Sequence, residues 1–312
     1  MSIRLGYQIP NFSYPNTAVE DLFGTVAAQA REAEASGFDT VLLMDHFYQL
    51  PGIGTPDQPM LECYTTLGAL ASATSSIRLS ALVTGNTYRN PAMLAKTVTT
   101  LDVVSGGRAI LGLGAGWFEK EHQEYGYEFG TFSQRFERLE EALQIIGPML
   151  RGEAPTFAGS WYRVENALNN PRLRPTIPIM LGGSGEQKTF RLAAAFADHM
   201  NIICDRQDLP RKVAALRRRC EEAGRNPATL ATSYLAFVLV KDSGDEARSV
   251  VEQMPADRSG RIFAGTADEV AQDLQRDVLD LGIGGLTVNM VLNGHEPGVV
   301  SAVGHALAPL VD

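Results

Sequence analysis

The sequence predicts a (β/α)₈ TIM barrel, an α/β fold, from two observations. Short apolar segments of strand length alternate with amphipathic segments of helical period along the chain. Several of the short segments are apolar throughout and end in glycines or polar residues, which is typical of parallel strands buried on both faces. At 312 residues the chain is long enough for one large core. We therefore expect a single barrel domain over residues 1–312, with a doubly wound sheet as the alternative.

One unit of this barrel is clearest in residues 101–117, LDVVSGGRAILGLGAGW. A helix ends at a glycine pair, and a buried strand follows over residues 109–113. The strand ends at Gly114, Ala115 and Gly116, where small side chains let a ligand approach the backbone. Since ligands of α/β barrels bind at the carboxyl ends of the strands, we expect the functional site at this end.

The remaining elements follow in order and are supported by their boundary residues. Asn90 is a cap before proline at the first helical position, and two capping boxes are predicted, Thr17 with Glu20 and Thr266 with Glu269. The predicted strands cover residues 3–9, 40–44, 77–83, 109–113, 178–181, 200–203, 232–240 and 286–291. The predicted helices cover residues 19–37, 62–74, 90–105, 208–224 and 266–282, with others beginning near 133 and after 185 and a last one ending near 310. Residues 151–177, with several prolines, are expected to form an irregular insertion near the barrel mouth, between strands four and five.

Composition excludes several classes of function. The net charge is −9 and no basic run exceeds three arginines, so nucleic acid is not an expected partner. The three cysteines lack metal or redox spacing, which indicates reduced thiols in a cytoplasmic protein. The residues after Met1 have neither the charged leader nor the apolar core of a signal peptide, so we expect none. We also expect no membrane span, because no apolar segment is long enough. We expect a small-molecule substrate as the partner.

Motifs for three other chemistries are missing or misplaced. Gly112, Gly114 and Gly116 are spaced G-x-G-x-G, whereas the dinucleotide fingerprint is G-x-G-x-x-G in the first βαβ unit. None of the five histidines forms an H-x-x-x-H or H-E-x-x-H pair, so no metal is expected. The sequence also lacks the G-x-S-x-G nucleophile elbow of serine hydrolases.

Two polar segments are expected at the barrel mouth. Asp45-His46 follows the second strand, and a histidine at that position can exchange a proton with a substrate near neutral pH. A structural histidine bound to loop backbone is the alternative for His46, and orienting or capping a loop is the alternative for Asp45. Gly182-Gly183-Ser184 precedes a helix and forms a potential anion site, with an ordinary tight turn as the alternative.

Aromatic residues near the strand ends suggest a pocket for a flat ring. The expected substrate pocket comprises Tyr7, Phe12, Phe47 and Trp117. The alternative is that half of the aromatic set belongs to the core or the rim. The charged stretch that follows has the composition of a solvated loop face, although one histidine in it could reach the mouth. This stretch contains Glu119, Glu121 and His122.

Seven motifs, in chain order, resemble the luciferase-like oxidoreductase superfamily. They are LGYQIPNF, MDHF, NTYRNP, LDVVSGGR, GLGAGWFEKEHQEYG, RFERLEEAL and LGGSG. The resemblance is greatest to the bacterial branch that uses the deazaflavin coenzyme F420 rather than FMN, and it extends over nearly the whole chain. It implies hydride transfer between the coenzyme and a substrate.

The resemblance also implies roles for individual residues. His46 would lie beside the reacting carbon of the deazaflavin as a catalytic residue, donating a proton or stabilising developing charge, and Asp45 would contact the cofactor. A non-proline cis peptide at about Ala81–Leu82 would support the ring from behind. The other implied cofactor contacts are Thr84, Ala115, Gly116, Gly182, Gly183 and Ser184.

Two acidic residues of that branch's sugar-phosphate dehydrogenase are replaced here. One position falls near Asn11 or Phe12, and the other is Trp117. Without these acids we expect a small, rather hydrophobic carbonyl or activated alkene as substrate. An FMN-dependent monooxygenase and a barrel that binds deazaflavin without catalysis are the alternatives. The resemblance further implies a homodimer.

Overall fold

The barrel predicted from the sequence is present in the computed structural model, which describes residues 2–255 and 260–311. Within these residues there are twelve strands. They are β1 Leu5–Ile9, β2 Thr40–Leu43, β3 Arg78–Ala81, β4 Thr84–Gly85, β5 Ala109–Gly114, β6 Phe157–Ala158, β7 Arg163–Val164, β8 Ile179–Gly183, β9 His199–Ile202, β10 Ala231–Val240, β11 Ile262–Gly265 and β12 Leu286–Asn289.

Eight of these strands form a closed parallel sheet. Their order is β1, β2, β3, β5, β8, β9, β10 and β12, and β12 pairs with β1 to close the barrel. On its two sides β1 pairs Gly6 with Thr287 and with Thr40. Because all eight strands are parallel, their carboxyl ends meet at one mouth of the barrel.

Helices surround the barrel between the strands. The ten helices among the described residues are α1 Leu22–Ala35, α2 Cys63–Ala73, α3 Pro91–Val104, α4 Glu119–Tyr125, α5 Phe132–Arg151, α6 Thr189–Phe196, α7 Leu209–Glu222, α8 Gly244–Glu252, α9 Ala267–Asp277 and α10 Val299–Val311. Asn90 caps α3 and Thr266 forms a capping box with Glu269 at α9, so these two predicted caps are confirmed. The capping box predicted for Thr17 and Glu20 is wrong, because a short 3₁₀ turn precedes α1 and neither Ala18 nor Asp21 makes a side-chain cap hydrogen bond there. None of these helices combines the length and apolar character needed to cross a membrane.

Several short elements were not predicted. The irregular insertion contains the two-stranded hairpin of β6 and β7, and β11 extends the sheet beside β10. Helix α4 lies in the charged stretch expected as a loop, and α8 precedes residues outside the described part of the chain. These elements have two to nine residues each, which is shorter than the window of about 11 residues over which a hydrophobic period is read.

Alternate residues of β1 face different layers, as expected for a strand. Leu5, Tyr7 and Ile9 pack in the layer between strands and helices. Gln8 lies between them and reaches Leu82, whose side chain belongs to a separate cluster with residues of other barrel strands. The barrel interior therefore holds a polar side chain directly beneath the mouth.

Candidate active site

His46 and Glu121 form a hydrogen-bonded pair at the barrel mouth. His46 follows β2, Glu121 lies on α4, and the His46 Nδ1 is 2.8 Å from the Glu121 Oε2. The Glu121 side chain is fully buried, whereas 13% of the His46 side chain is exposed. Because a carboxylate only accepts, Nδ1 carries the proton and Nε2 is left for other partners. No residue in the described part of the chain bonds to this Nε2.

Glu121 accepts hydrogen bonds on both of its oxygens. Its Oε1 accepts the backbone N–H groups of Phe47 at 2.6 Å and Tyr48 at 2.9 Å, and its Oε2 also accepts the Tyr88 hydroxyl at 2.8 Å. Burial acts to raise the pKa of Glu121, but the hydrogen bonds from these groups and His46 outweigh it and lower the pKa. The carboxyl group is therefore held ionised inside the protein.

His122, beside Glu121 on α4, is also fully buried. Its Nδ1 is 2.8 Å from the Phe118 carbonyl oxygen, and its Nε2 is 2.7 Å from the Thr87 hydroxyl. The carbonyl requires a proton on Nδ1, so Nε2 accepts from Thr87. Burial lowers the pKa of His122, consistent with a neutral ring. Its position is that of a structural histidine.

Two stacked aromatic rings lie next to His46. Trp117 and Phe118 stack with their centroids 5.2 Å apart, and the His46 ring meets them edge-on at 5.7 Å and 6.0 Å. Trp117 is 59% exposed. The mouth beside His46 is thus bordered by a large aromatic surface without a charge.

Asp45 lies beneath the mouth, and both of its carboxylate oxygens accept hydrogen bonds. Arg89 donates to its two oxygens at 2.6 Å and 2.9 Å, and the backbone N–H of Gly85 donates at 3.0 Å. The Arg89 guanidinium lies over the Tyr64 ring, and the Tyr64 hydroxyl is 2.6 Å from that of Thr84. Asp45 and Thr84 are both buried, so in this structure they hold the loop after β3 rather than line an open surface.

A non-proline cis peptide lies between Leu82 and Val83, one residue after the predicted Ala81–Leu82 position. Ala81 still belongs to β3 and packs in the outer core. The carbonyl oxygen of Leu82 accepts a hydrogen bond from the Gln8 Nε2 at 3.2 Å, and the Gln8 Oε1 accepts one from Asn289 at 2.8 Å. These contacts fix the bend at the end of β3.

Val83 occupies the space left by two glycines at the ends of β5 and β8. A Cβ at Gly114 would lie 2.8 Å from the Cγ2 of Val83, and a Cβ at Gly182 would lie 2.7 Å from its Cγ1. Such contacts are too close for real side chains. We expected the missing side chains at these glycines to make room for a ligand. In the structure they make room for the bend at Val83.

The segment after β8 presents unpaired backbone donors. No group in residues 2–255 and 260–311 accepts from the backbone N–H of Ser184 or Gly185, and both residues are partly exposed. Lys212 Nζ donates to the Ser184 carbonyl at 2.8 Å and lies 3.0 Å from Glu186. Free N–H groups next to a lysine before a helix can bind an anion.

Three residues predicted for the substrate pocket lie elsewhere. Tyr7 is fully buried between strands and helices, where its hydroxyl donates to Gln29 at 2.7 Å, and Phe12 is also fully buried in that layer. Phe47 packs among the tyrosines of the loop before α3 and of α4, with centroid distances of 4.6 Å to Tyr88 and Tyr125. Of the four predicted pocket residues, Trp117 lies beside His46.

The partly exposed residues predicted for the cofactor do meet at the mouth. They are Ala115, Gly116, Gly182, Gly183 and Ser184, at the ends of β5 and β8. Glu121 was not predicted as a site residue, because its charged neighbours suggested a solvated face. Helical spacing places Phe118, Glu121 and Tyr125 on one side of a helix, and this was a signal that Glu121 lies among aromatic rings.

The sequence matches one family model and is similar to enzymes of known activity. Residues 3–282 match a family model described as luciferase-like monooxygenase. The chain is 33% identical over 198 residues to the F420-dependent glucose-6-phosphate dehydrogenase of Microbacterium testaceum (strain StLB037), covering 63% of this chain and 55% of that relative. It is 30% identical over 281 residues to the F420-dependent hydroxymycolic acid dehydrogenase of Mycobacterium tuberculosis (strain ATCC 25618 / H37Rv), covering 88% of this chain and 73% of that relative.

A solved structure shows the same architecture. The F420-dependent secondary alcohol dehydrogenase in complex with an F420-acetone adduct superposes with a TM-score of 0.83 at 20% identity, covering 100% of both chains. This likeness confirms the barrel, and the family model covers most of the chain. The resemblance in the motifs is thereby confirmed: the chain belongs to the luciferase-like monooxygenase family.

Proposed function

We propose that the protein is an F420-dependent oxidoreductase that transfers a hydride between the deazaflavin and a small, rather hydrophobic carbonyl or activated alkene. The observation that carries the proposal is His46, held by Glu121 with its Nε2 unpaired beside the exposed Trp117. Relatives named as F420-dependent dehydrogenases support the choice of cofactor.

The residues at the mouth fit such a coenzyme. The free N–H groups of Ser184 and Gly185, with Lys212 nearby, suit a phosphate group. The partly exposed Val83, held between two glycines, would support a flat ring from behind, as the resemblance implies. When bound, the coenzyme supplies the hydride acceptor or donor, and the protein supplies position and proton transfer.

The proposed role of His46 is to move a proton at the substrate oxygen. With Nδ1–H bound to Glu121, Nε2 is the atom that can donate a proton to a carbonyl oxygen or take one from an alcohol.

The aromatic border of the mouth supports an apolar substrate. Trp117 and Phe118 offer ring faces and no hydrogen-bond acceptor, and Asp45 is neutralised by Arg89. Nothing in this border pairs with a substrate charge, so uncharged ketones, enones and secondary alcohols are the substrates to test first.

The test is turnover with F420 and a panel of ketones, enones and alcohols, followed through the absorbance of the coenzyme. We expect turnover that falls by about 100-fold or more in His46→Ala with saturating coenzyme, because a positioned acid–base group contributes about that much. Exposed His305 on α10 provides the control, and His305→Ala should retain activity. An unchanged rate in His46→Ala would remove His46 from the mechanism.

A second candidate is an FMN-dependent monooxygenase, which the description of the matching family model favours. Such an enzyme would activate oxygen and need a reductase. Oxygen consumption coupled to reduced FMN, together with weak F420 binding, would support this candidate over the first.

The expected homodimer and cytoplasmic location stay predictions. Light scattering on the purified protein would test the first, and fractionation of cells that produce it would test the second.

A further inference from the structure

We propose that Glu121 is a positioning residue that fixes the tautomer and ring orientation of His46, so that Nε2 always faces the substrate. This inference rests on the proposed function for its catalytic consequence. Its structural content, the position of one proton on His46, can be tested without any substrate.

The two oxygens of Glu121 have separate partners. Oε1 accepts the backbone N–H groups of Phe47 and Tyr48 and so holds the loop that follows His46 against α4. Oε2 accepts His46 Nδ1 and the Tyr88 hydroxyl. A residue that only tied the loop to the helix would need Oε1 alone. The second oxygen is directed at the imidazole.

Burial makes this arrangement specific. Glu121 has no exposed surface, so water cannot compete with His46 for Oε2. The ring is bordered on its other sides by Trp117 and Phe118, which offer Nδ1 no acceptor. The carboxylate is therefore the group that determines which nitrogen carries the proton, as an orienting carboxylate does in other acid–base pairs.

Glu121→Gln should reverse the tautomer with little change of shape. The amide oxygen can keep both backbone N–H groups at the Oε1 position, and the amide NH₂ then takes the Oε2 position. It would donate to His46 Nδ1 and to the Tyr88 hydroxyl oxygen. His46 would then carry its proton on Nε2, which could no longer accept one from a substrate.

The first readout is NMR of the histidine ring nitrogens, assigned by comparison with His46→Ala. We expect an Nδ1–H signal for His46 in the wild-type protein and in Glu124→Gln, a matched change of an exposed carboxylate on α4. We expect an Nε2–H signal in Glu121→Gln. A neutral His46 with Nε2–H in the wild-type protein would overturn the proposal, whether or not any variant folds.

The second readout is kinetic. Glu121→Gln should lower kcat by about 100-fold while KM and coenzyme affinity change little. In a His46→Ala background, Glu121→Gln should cause no further loss of kcat, because Glu121 acts through the ring. If Glu121→Gln lowers kcat by the same factor with and without His46, Glu121 acts independently of His46 and the proposal is overturned.

The two proposals fail differently. If the NMR result is as expected but no substrate turns over, the F420-dependent function is wrong and the positioning of His46 stands. If turnover depends on His46 but the tautomer does not change in a folded Glu121→Gln protein, the function stands and the positioning role is wrong.

Discussion

The side-chain amide of Gln8 donates a hydrogen bond to the carbonyl oxygen of Leu82, at 3.2 Å, inside the barrel. Leu82 supplies the carbonyl of the cis peptide, so a residue on β1 supports the bend that ends β3. Gln8 is itself fixed by Asn289 on the last strand. Three barrel strands thus converge on the bend beneath the mouth.

Replacing Gln8 by leucine should destabilise the protein by about 1–3 kcal/mol, because the buried Leu82 carbonyl and the Asn289 amide each lose a partner. Chemical denaturation measures this change. The control is Gln123→Leu on the exposed surface of α4, which should change the free energy of unfolding by no more than about 0.5 kcal/mol. Equal effects of the two substitutions would contradict the role of Gln8.

Gly182→Ala should destabilise by about 1–3 kcal/mol, since the new methyl group would overlap Val83. Adding Val83→Ala should recover part of the loss by making room. Gly68→Ala in α2 is the control: its Cβ has no neighbour within 4 Å, and a mid-helix alanine should stabilise by about 0.5–1 kcal/mol. Thermal or urea unfolding measures all three. If adding Val83→Ala recovers none of the lost stability, overlap with Val83 is not the cause of the loss in Gly182→Ala.

Arg89→Met should cost about 3–5 kcal/mol, because it leaves the buried Asp45 carboxylate without its cation. Arg191 on α6 forms a similar bidentate pair with Glu140, but on the exposed surface. Arg191→Met should therefore cost no more than about 1 kcal/mol. Similar losses in both variants would show that burial does not set the strength of the Asp45 pair.

Stability should fall as the pH drops below about 6.5, partly because of His199. Burial lowers the pKa of His199 from 6.5 to about 3. Between these values the unfolded chain binds a proton that the folded protein excludes, so the free energy of unfolding decreases by up to about 1.4 kcal/mol per pH unit. The buried His122 acts in the same direction.

Urea unfolding at several pH values between about 7 and 5 tests this prediction, above the range where carboxylates titrate. His199→Gln should flatten the dependence, whereas His305→Gln, a change at an exposed histidine, should leave it as in the wild-type protein. A pH dependence unaffected by the loss of His199 would show that this ring is not held neutral.

The barrel could be predicted because apolar strands and capped helices alternate in sequence, and each pattern is local. Thr266 and Asn90 form the caps that their motifs indicated. His46 lies at the mouth because the residues that directly follow a barrel strand are at the carboxyl end of the barrel. These features depend on short segments of chain, which the sequence describes directly.

The errors concern contacts between distant segments. Tyr7 seemed available for the pocket, but strand alternation points it outward and turns Gln8 inward. The cis peptide was misplaced by one residue because counting along the chain cannot detect the bend after β3. Glu121 lies 75 residues from His46 in sequence, so their hydrogen bond depends on how α4 packs on the barrel.

The most direct test of the central claim is a parallel titration of the purified protein with F420 and with FMN, followed by fluorescence quenching of the cofactor or of Trp117. We predict binding of F420 at micromolar concentration and much weaker binding of FMN. Preference for FMN would contradict the proposed function and favour a flavin-dependent monooxygenase. Binding of neither would contradict both cofactor assignments and leave only the barrel and its family.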